Sequence, residues 1–196
     1  RIDVFDRSPR ILPAVLDADG AAVVSRLVEP HGIFCHPSMS VDEMLGEGER
    51  VTHVRLTDGS DEACDMVIVA VGVRPASKLA VEAGAEQGRG LICGPDLQTS
   101  LPDVYAAGDV TQVTDTLDGS ERPLALWPNA VRQGRIAAMH MAGVPGALPD
   151  EGSFAVNAVD FFDITLLTSG IINPPVDGDF DVRVEVEDDE YVKFVM

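Results

Sequence analysis

Residues Thr99 to Val110 read Thr-Ser-Leu-Pro-Asp-Val-Tyr-Ala-Ala-Gly-Asp-Val, and they decide how the rest of the chain is read. Val104-Tyr-Ala-Ala107 predicts a short apolar strand that runs into Gly108 and then a lone carboxylate, Asp109. The small residues at 106–108 let another molecule approach the backbone, and glycine allows a turn that a Cβ would forbid. A carboxylate at the carboxyl end of a strand sits where open α/β sheets receive their ligands. Downstream, Pro128 to Met141 has the clearest helical pattern in the chain. Proline suits its first turn, and Val131, Ile136, Ala137 and Met139 supply apolar positions.

Working outward, Ile2 to Phe5 predicts a strand that ends at Asp6. A helix capped near Asp17 or Asp19 follows and stops before Pro30 and Gly32, and Ile33 to His36 is the next strand. Ser40–Leu45, Val51–Leu56 and Ala63–Val71 predict a three-stranded meander. Its second turn, Asp58-Gly59, is a strong hairpin signal. Val67 to Val73 is nearly all apolar and β-branched, the pattern of a strand buried on both faces. Short elements are expected at Ser77–Ala83 (helix), Leu91–Cys93 and Asp103–Ala106 (strands), with a polar loop at 114–122 and a linker at 143–149. After it, Phe154–Leu167 and Phe180–Val195 predict strands around a loop at 171–178.

The Thr99–Val110 stretch resembles the second flavin-binding motif of the FAD- and NAD(P)-dependent pyridine nucleotide–disulfide oxidoreductases. Asp65-Met-Val-Ile-Val-Ala-Val-Gly-Val-Arg-Pro75 resembles that family's strand and crossing peptide between its NAD and FAD domains. Arg1-Ile-Asp-Val-Phe-Asp-Arg-Ser-Pro-Arg-Ile-Leu-Pro13 resembles its second NAD-domain strand. Leu126-Trp-Pro-Asn-Ala-Val-Arg-Gln-Gly-Arg-Ile-Ala-Ala138 resembles the helix after the flavin motif. The four segments occur in family order, over most of residues 1–147. The tryptophan form of the last motif is more similar to the nitrite-reductase, rubredoxin-reductase and NADH-oxidase branch than to the dihydrolipoamide branch.

The resemblance implies an α/β fold, a partial two-dinucleotide-binding-domain flavoprotein of the three-layer ββα type. Residues 1–75 would be the C-terminal part of the NAD(P)-binding domain and 76–147 that of the FAD-binding domain. Residues 148–196 would start a C-terminal α+β interface domain. The family's two Gly-x-Gly-x-x-Gly loops are absent from this sequence. Gly46-Glu-Gly48-Glu-Arg-Val51 comes nearest, but its two acids would repel a pyrophosphate, and it reads as a hairpin loop. The chain also opens in a strand without methionine. The expectation is therefore the C-terminal portion of a longer enzyme, with the missing N-terminal half of the same polypeptide as its first partner.

Cofactor contacts follow residue by residue. Asp6, just after a strand of a dinucleotide fold, suits the adenosine ribose hydroxyls of NAD; Arg7 or Arg10 facing a 2′-phosphate keeps NADP as the minority reading. The bland alternative for Asp6 is a turn cap before Pro9. By resemblance, Gly72 lies near the pyridine nucleotide, Gly108 and Asp109 meet the ribityl chain of FAD, and Leu126, Trp127 and Ala130 open the helix that faces the isoalloxazine. A helix N-terminus suits the negative charge of reduced flavin. Trp127 packs on the flavin or fills an interface. No side chain is required as acid, base or nucleophile, because the cofactors carry the chemistry.

Composition excludes other classes. A net charge of −19 and a pI near 4.3 oppose nucleic acid and anionic lipid. Twelve of the acids lie from Asp150 onward, against Arg183 and Lys193, which suits solubility or a basic electron carrier. No apolar run is long enough to cross a bilayer. Cys35, Cys64 and Cys93 are odd in number and widely spaced, as expected of reduced, buried cytoplasmic thiols. The four histidines show no metal-ligand spacing. The expected partners are a redox acceptor protein and a second copy in a homo-oligomer. A non-catalytic dimerisation or regulatory module, and one subunit of a split flavoenzyme, stay open as alternatives.

Overall fold

The structure is a computed structural model and describes residues 1–175 and 177–196. It forms two compact units, Arg1–Val71 with Asn157–Met196, and Gly72–Val156.

In the first unit, β1 (Ile2–Asp6) pairs in parallel with β2 (Ile33–Pro37), and α1 (Ala18–Val28) makes the crossover. The helix starts at Ala18 because Asp17 takes up an extended backbone and its Oδ1 accepts from the Gly20 amide at 2.9 Å. It ends where Pro30 follows and Gly32 turns left-handed. Ala21, Val24 and Val28 face inward and join Ile11 and Leu16 in one apolar cluster. Each buried Val or Leu there stabilises by about 1.5–3 kcal/mol relative to exposure.

A meander of β3 (Val41–Glu47), β4 (Arg50–Leu56) and β5 (Asp61–Ala63) follows, all antiparallel. Gly48, at φ +62°, turns the first hairpin, so the Gly46-Glu-Gly48 segment is a hairpin loop as read. Asp58-Gly59 turns the second; Asp58 Oδ1 accepts from the Ser60 amide at 2.9 Å.

The expected third strand fails beyond Ala63. Residues 65–76 form no strand, and Ile68 and Val71 are 81% and 91% exposed instead of buried on both faces. Periodicity records what a strand would bury, not whether neighbours exist. Among the described residues no strand pairs with this run.

In the second unit, α2 (Lys78–Glu82) is a short helix followed by left-handed Gly84. The expected strands at Leu91–Cys93 and Asp103–Ala106 shrink to single bridges: Leu91 with Thr111, Cys93 with Thr99, and Tyr105 with Gln98. Pro95 and Pro102 break the amide ladder, and Leu97 and Asp103 sit at φ +66° and +61°, so the chain turns before a ladder can extend. The two-residue strands β6 (Val113–Thr114) and β7 (Glu121–Arg122) pair antiparallel. The long helix α3 (Trp127–Met141) carries Ile136 and Ala137 into a small core with Leu97, edged by Cys93, Tyr105, Ala107 and Met139.

The tail returns to the first unit as two hairpins, β8 (Val156–Phe161) with β9 (Ile164–Ser169), and β10 (Val182–Glu187) with β11 (Glu190–Val195). The expected loop at 171–178 contains Val176, which lies outside the described residues. Phe161, Ile164 and Leu166 pack on the α1 cluster. The second hairpin is tied to α1 by polar contacts. Tyr191 Oη donates to Asp17 Oδ2 at 2.5 Å, and Lys193 Nζ donates to the same oxygen at 2.7 Å and to Ile172 O at 3.0 Å. Gly20 makes room, since a Cβ there would stand 3.3 Å from the Tyr191 ring.

Partial burial alone would raise the Asp17 pKa, but Lys193, Tyr191 and the Gly20 amide outweigh it and hold the carboxyl below its ordinary value. A depressed folded pKa contributes stability that is present above the unfolded value of about 3.9 and lost as pH falls through the folded one. The protection factors of the 182–195 amides, taken against intrinsic exchange at the same pH, are therefore expected to fall in acid, below about pH 4. Asp17→Ala is expected to lower them at neutral pH as well and to cost about 2–3 kcal/mol, since it removes both the cap and the tether. Unchanged protection of the hairpin in that variant would show the tether to be idle.

Candidate functional site

The backbone from Ala107 to Thr111 is a single tight turn laid against the first half of α3. Gly108 adopts φ +78°, and a Cβ on it would stand 3.2 Å from the Cβ of Ala130. Any side chain at 108 would be strained and would push the turn off the helix. Asp109 and Val110 continue as one 3₁₀ turn, and the Thr111 amide closes it on Gly108 O at 3.0 Å.

The turn is held from beneath by a buried side chain. The Gly108 amide donates to Gln133 Oε1 at 2.7 Å, and the Thr111 hydroxyl lies 2.9 Å from Gly108 O and 3.2 Å from the same Oε1. Gln133 is fully buried. Its Nε2 donates to Asp150 Oδ2 at 3.0 Å. The other oxygen of Asp150 accepts from Arg132 Nη1 at 2.5 Å and from the Gly152 amide at 3.2 Å. The Asp150 amide donates to Pro95 O at 2.6 Å, so the 150–153 segment is pinned to the same unit.

Asp109 projects outward. Its side chain is exposed, and among the described residues nothing donates to its carboxylate. The strand expected before it is a single bridge at Tyr105. The helix start beside it is uncapped: Leu126 is the cap residue, has an extended backbone and offers no side-chain acceptor. Pro128 has no amide and the Ala130 amide is spent on Leu126 O at 3.0 Å, which leaves the amides of Trp127 and Asn129 without a side-chain partner. Trp127 is 83% exposed and fills no interface among the described residues. Gly108, Asp109, Leu126, Trp127 and Ala130 thus come together around one turn and one helix start.

Asp6 and Gly72 belong elsewhere in the fold. Asp6, at the end of β1, is half-buried; its Oδ1 accepts from the Ser8 amide at 2.8 Å, the turn cap that the sequence offered as the bland reading, while no described donor reaches Oδ2. Arg10 is occupied on Leu16 O at 3.0 Å, and Arg7 is exposed. Gly72, at φ +100°, is the first residue of the second unit, with no atom within 4 Å of where its Cβ would stand.

The cysteines are free and half-buried, not fully buried as expected. Burial, assisted by Asp96, pushes the Cys93 thiol up to about 11, so it stays protonated and unreactive at neutral pH. The histidines find local partners: His36 with Asp3 at 2.9 Å, His31 stacked on Phe162, His53 on Thr52 and His140 on Leu148 O. Among the described residues no cluster of three or more His, Cys, Asp or Glu could hold a metal. No described helix is long and apolar enough to cross a membrane.

Gln133, quoted in the sequence only as part of the helix motif, and Asp150 had been given no role. The signal was present: Asn129, Gln133, Ile136 and Ala137 fall on one face of α3, so two polar side chains share the buried stripe.

The chain matches known proteins along this frame. The model of the pyridine nucleotide-disulphide oxidoreductase family matches residues 1–134. A protein of Methanocaldococcus jannaschii named NADH oxidase is 38% identical over 142 residues, which are 72% of this chain and 31% of that protein. A nitrite reductase [NAD(P)H] of Bacillus subtilis is 26% identical over 195 residues, 100% of this chain and 23% of its own length. The crystal structure of an FAD-dependent pyridine nucleotide-disulphide oxidoreductase from Desulfovibrio vulgaris superposes with a TM-score of 0.85 at 26% identity, covering 98% of this chain and 49% of that one. The chain therefore spans about a third or less of these curated relatives, and about half of the solved one. A turn that only glycine can make, a carboxylate beside it and an uncapped helix start stand where the family match runs, and the chain belongs to the pyridine nucleotide-disulphide oxidoreductases.

Proposed function

We propose that this chain supplies the C-terminal parts of the nucleotide-binding domains of an FAD-dependent enzyme that oxidises NADH and delivers the electrons to an acceptor. The observation that carries this reading is the Gly108–Asp109 turn seated on the start of α3. Its residues fit a flavin. Glycine at 108 seats the turn directly on the helix start, the Asp109 carboxylate has no partner among the described residues, and two amides at the helix start are uncapped. FAD held there would supply acceptance of hydride from a nicotinamide.

The chain's own residues bind and orient. Asp109 accepts a hydroxyl of the ribityl chain, a charge-assisted hydrogen bond. The α3 amides at 127 and 129 favour negative charge at the pyrimidine edge of the ring. Leu126 and Trp127 offer apolar cover, and Ala130 keeps the helix close to the turn. Gly72 lets the backbone approach the nicotinamide, and Asp6, through its unengaged Oδ2, accepts from the adenosine ribose of NAD.

Two observations support a companion polypeptide. The sequence contains no Gly-x-Gly-x-x-Gly loop to receive a pyrophosphate, and the apolar 66–73 run is exposed. The companion is the remainder of the same enzyme, or a separate subunit; a reading frame continuous with Arg1 distinguishes the two. We place the enzyme in the cytoplasm, with a second copy and a redox acceptor protein as further partners.

Asp109→Ala in the FAD enzyme is expected to weaken flavin binding by about 1.5–3 kcal/mol, or roughly 10- to 100-fold in Kd, read from flavin fluorescence. Unchanged affinity would remove the flavin reading of this turn. NADH is expected to exceed NADPH by at least about tenfold in kcat/KM, because a carboxylate at position 6 repels a 2′-phosphate. A preference for NADPH would move the pocket from Asp6 to Arg7. The 196-residue chain by itself is expected to bind FAD weakly, with no saturation at stoichiometric concentrations. Tight one-to-one binding would show that the chain needs no companion.

A further inference from the structure

We propose that Gln133 is the positioning residue of the flavin turn, and that Asp150 fixes which way its amide points. The inference rests on the reading of Asp109 as a flavin contact and names what sets that contact's geometry. Gln133 is a fully buried polar side chain, and all its described contacts serve one assembly. Its Oε1 receives the Gly108 amide at 2.7 Å, with the Thr111 hydroxyl at 3.2 Å, and its Nε2 gives a proton to Asp150 at 3.0 Å. The Gly108 amide is the peptide group immediately before the Gly108–Asp109 linkage, so its direction decides where the Asp109 carboxylate emerges. The opposite amide orientation is excluded by polarity. It would set Nε2 against the Gly108 N–H and Oε1 against a carboxylate, two repulsive contacts at a fully buried position.

Asp150 can act as that reference because it is itself held. Arg132 Nη1 at 2.5 Å and the Gly152 amide at 3.2 Å occupy one of its oxygens, and the oxygen facing Gln133 is the other. Gly152 keeps the segment seated, since a Cβ there would stand 2.4 Å from Thr114 O, and Ser153 pairs with the 114–116 backbone. The chain of contacts is therefore continuous from the 150–153 segment through one side chain of α3 to the turn that carries Asp109.

An isosteric change tests polarity without changing volume. In Gln133→Glu the acceptor for Gly108 persists, but a carboxylate faces Asp150. The charged groups around it are Asp150 from the 150–153 segment, Arg132 from α3 and Asp109 from the turn; the Cys93 thiol, pushed up to about 11, stays neutral. Burial beside Asp150 raises the pKa of the introduced carboxyl, so its proton donates to Asp150 at low pH. The hold is present there and lost as pH rises through that pKa.

FAD affinity is measured by flavin fluorescence on the enzyme containing this chain, as wild type, Asp109→Ala, Gln133→Leu, Gln133→Glu, and Gln133→Glu with Asp150→Asn. The expected result is a loss on the order of tenfold in Gln133→Leu that does not add to the loss from Asp109→Ala. For Gln133→Glu, affinity should fall as pH rises between about 5 and 8, where the wild type stays flat, and Asp150→Asn in the same chain should restore it by returning a donor opposite the carboxylate. Faster exchange of the Gly108 amide should accompany every loss. If Gln133→Leu does not fold, the Glu variant and its partner exchange decide alone. Additive losses, a pH-independent Glu variant, or no rescue by Asp150→Asn would overturn the positioning role while leaving Asp109 on the flavin. Unchanged affinity in Asp109→Ala would overturn the flavin reading itself, and the inference with it.

Discussion

The approach of the Gly108 backbone to Ala130 constrains everything around the candidate site. The two segments are 22 residues apart in sequence and meet with space for a hydrogen on one side and a methyl on the other. That contact sets the depth of the 107–111 turn, which sets where Asp109 leaves it and how close the uncapped amides of α3 lie. The enthalpic support comes from below, where the Gly108 amide and the Thr111 hydroxyl share one buried oxygen of Gln133. Leaving either unmatched in that interior would cost more than a surface hydrogen bond yields, so the turn has one arrangement and not several. The exposed face of the turn carries the opposite property. Asp109, Trp127 and the amides of the first helical turn are arranged but not satisfied within the described chain.

Much of this was legible in the sequence, for local reasons. Asp17, Pro128, Gly48 and Asp58-Gly59 each specify a cap, a first helical turn or a hairpin through their own backbone chemistry, and each appears where that chemistry puts it. The family too was readable, because four spaced motifs had to agree, and the match over residues 1–134 supports them. What was not legible is what depends on distant partners. The 67–73 run has the composition of a central strand, but a central strand is defined by two neighbours, and none is found among the described residues. The short strands around Leu97 failed for a different reason: proline and left-handed residues interrupted ladders that hydrophobic pattern alone had suggested. Within the site, the glycine–aspartate pair announced itself, while Gln133 and Asp150 did not. A glutamine on a helix reads as solvent-facing until its fellow stripe members are seen to be buried.

The strands of the tail were legible in the sequence, and their packing was not. Residues from 157 onward group with residues 1–71 through the packing of Phe161, Ile164 and Leu166 and the ties of Tyr191 and Lys193 to Asp17. In a chain with net charge −19, the second of these is informative. Lys193 is one of only two cations after residue 150, and it is spent on a carboxylate that already caps a helix. Asp17 thereby does two jobs with separate oxygens, Oδ1 for the helix start and Oδ2 for the hairpin.

The acid-rich surface and the exposed apolar run are two parts of one physical situation. Like charges at this density oppose the approach of further copies, and they weaken the pull of any dianionic ligand that lacks a dedicated set of amides. The stretch 66–73 exposes Met66, Ile68, Val69, Val71 and Val73 together, with unpaired backbone groups along it. Such an unpaired run is open to pairing along its edge with another strand, and the apolar side chains reward one that covers both faces. A second acidic copy meets that edge against charge repulsion. A strand carried by the same enzyme meets it at high effective concentration and without that penalty. On the function proposed above, that strand belongs to the same enzyme, and Gly72, proposed to admit the nicotinamide, lies within the run it would cover.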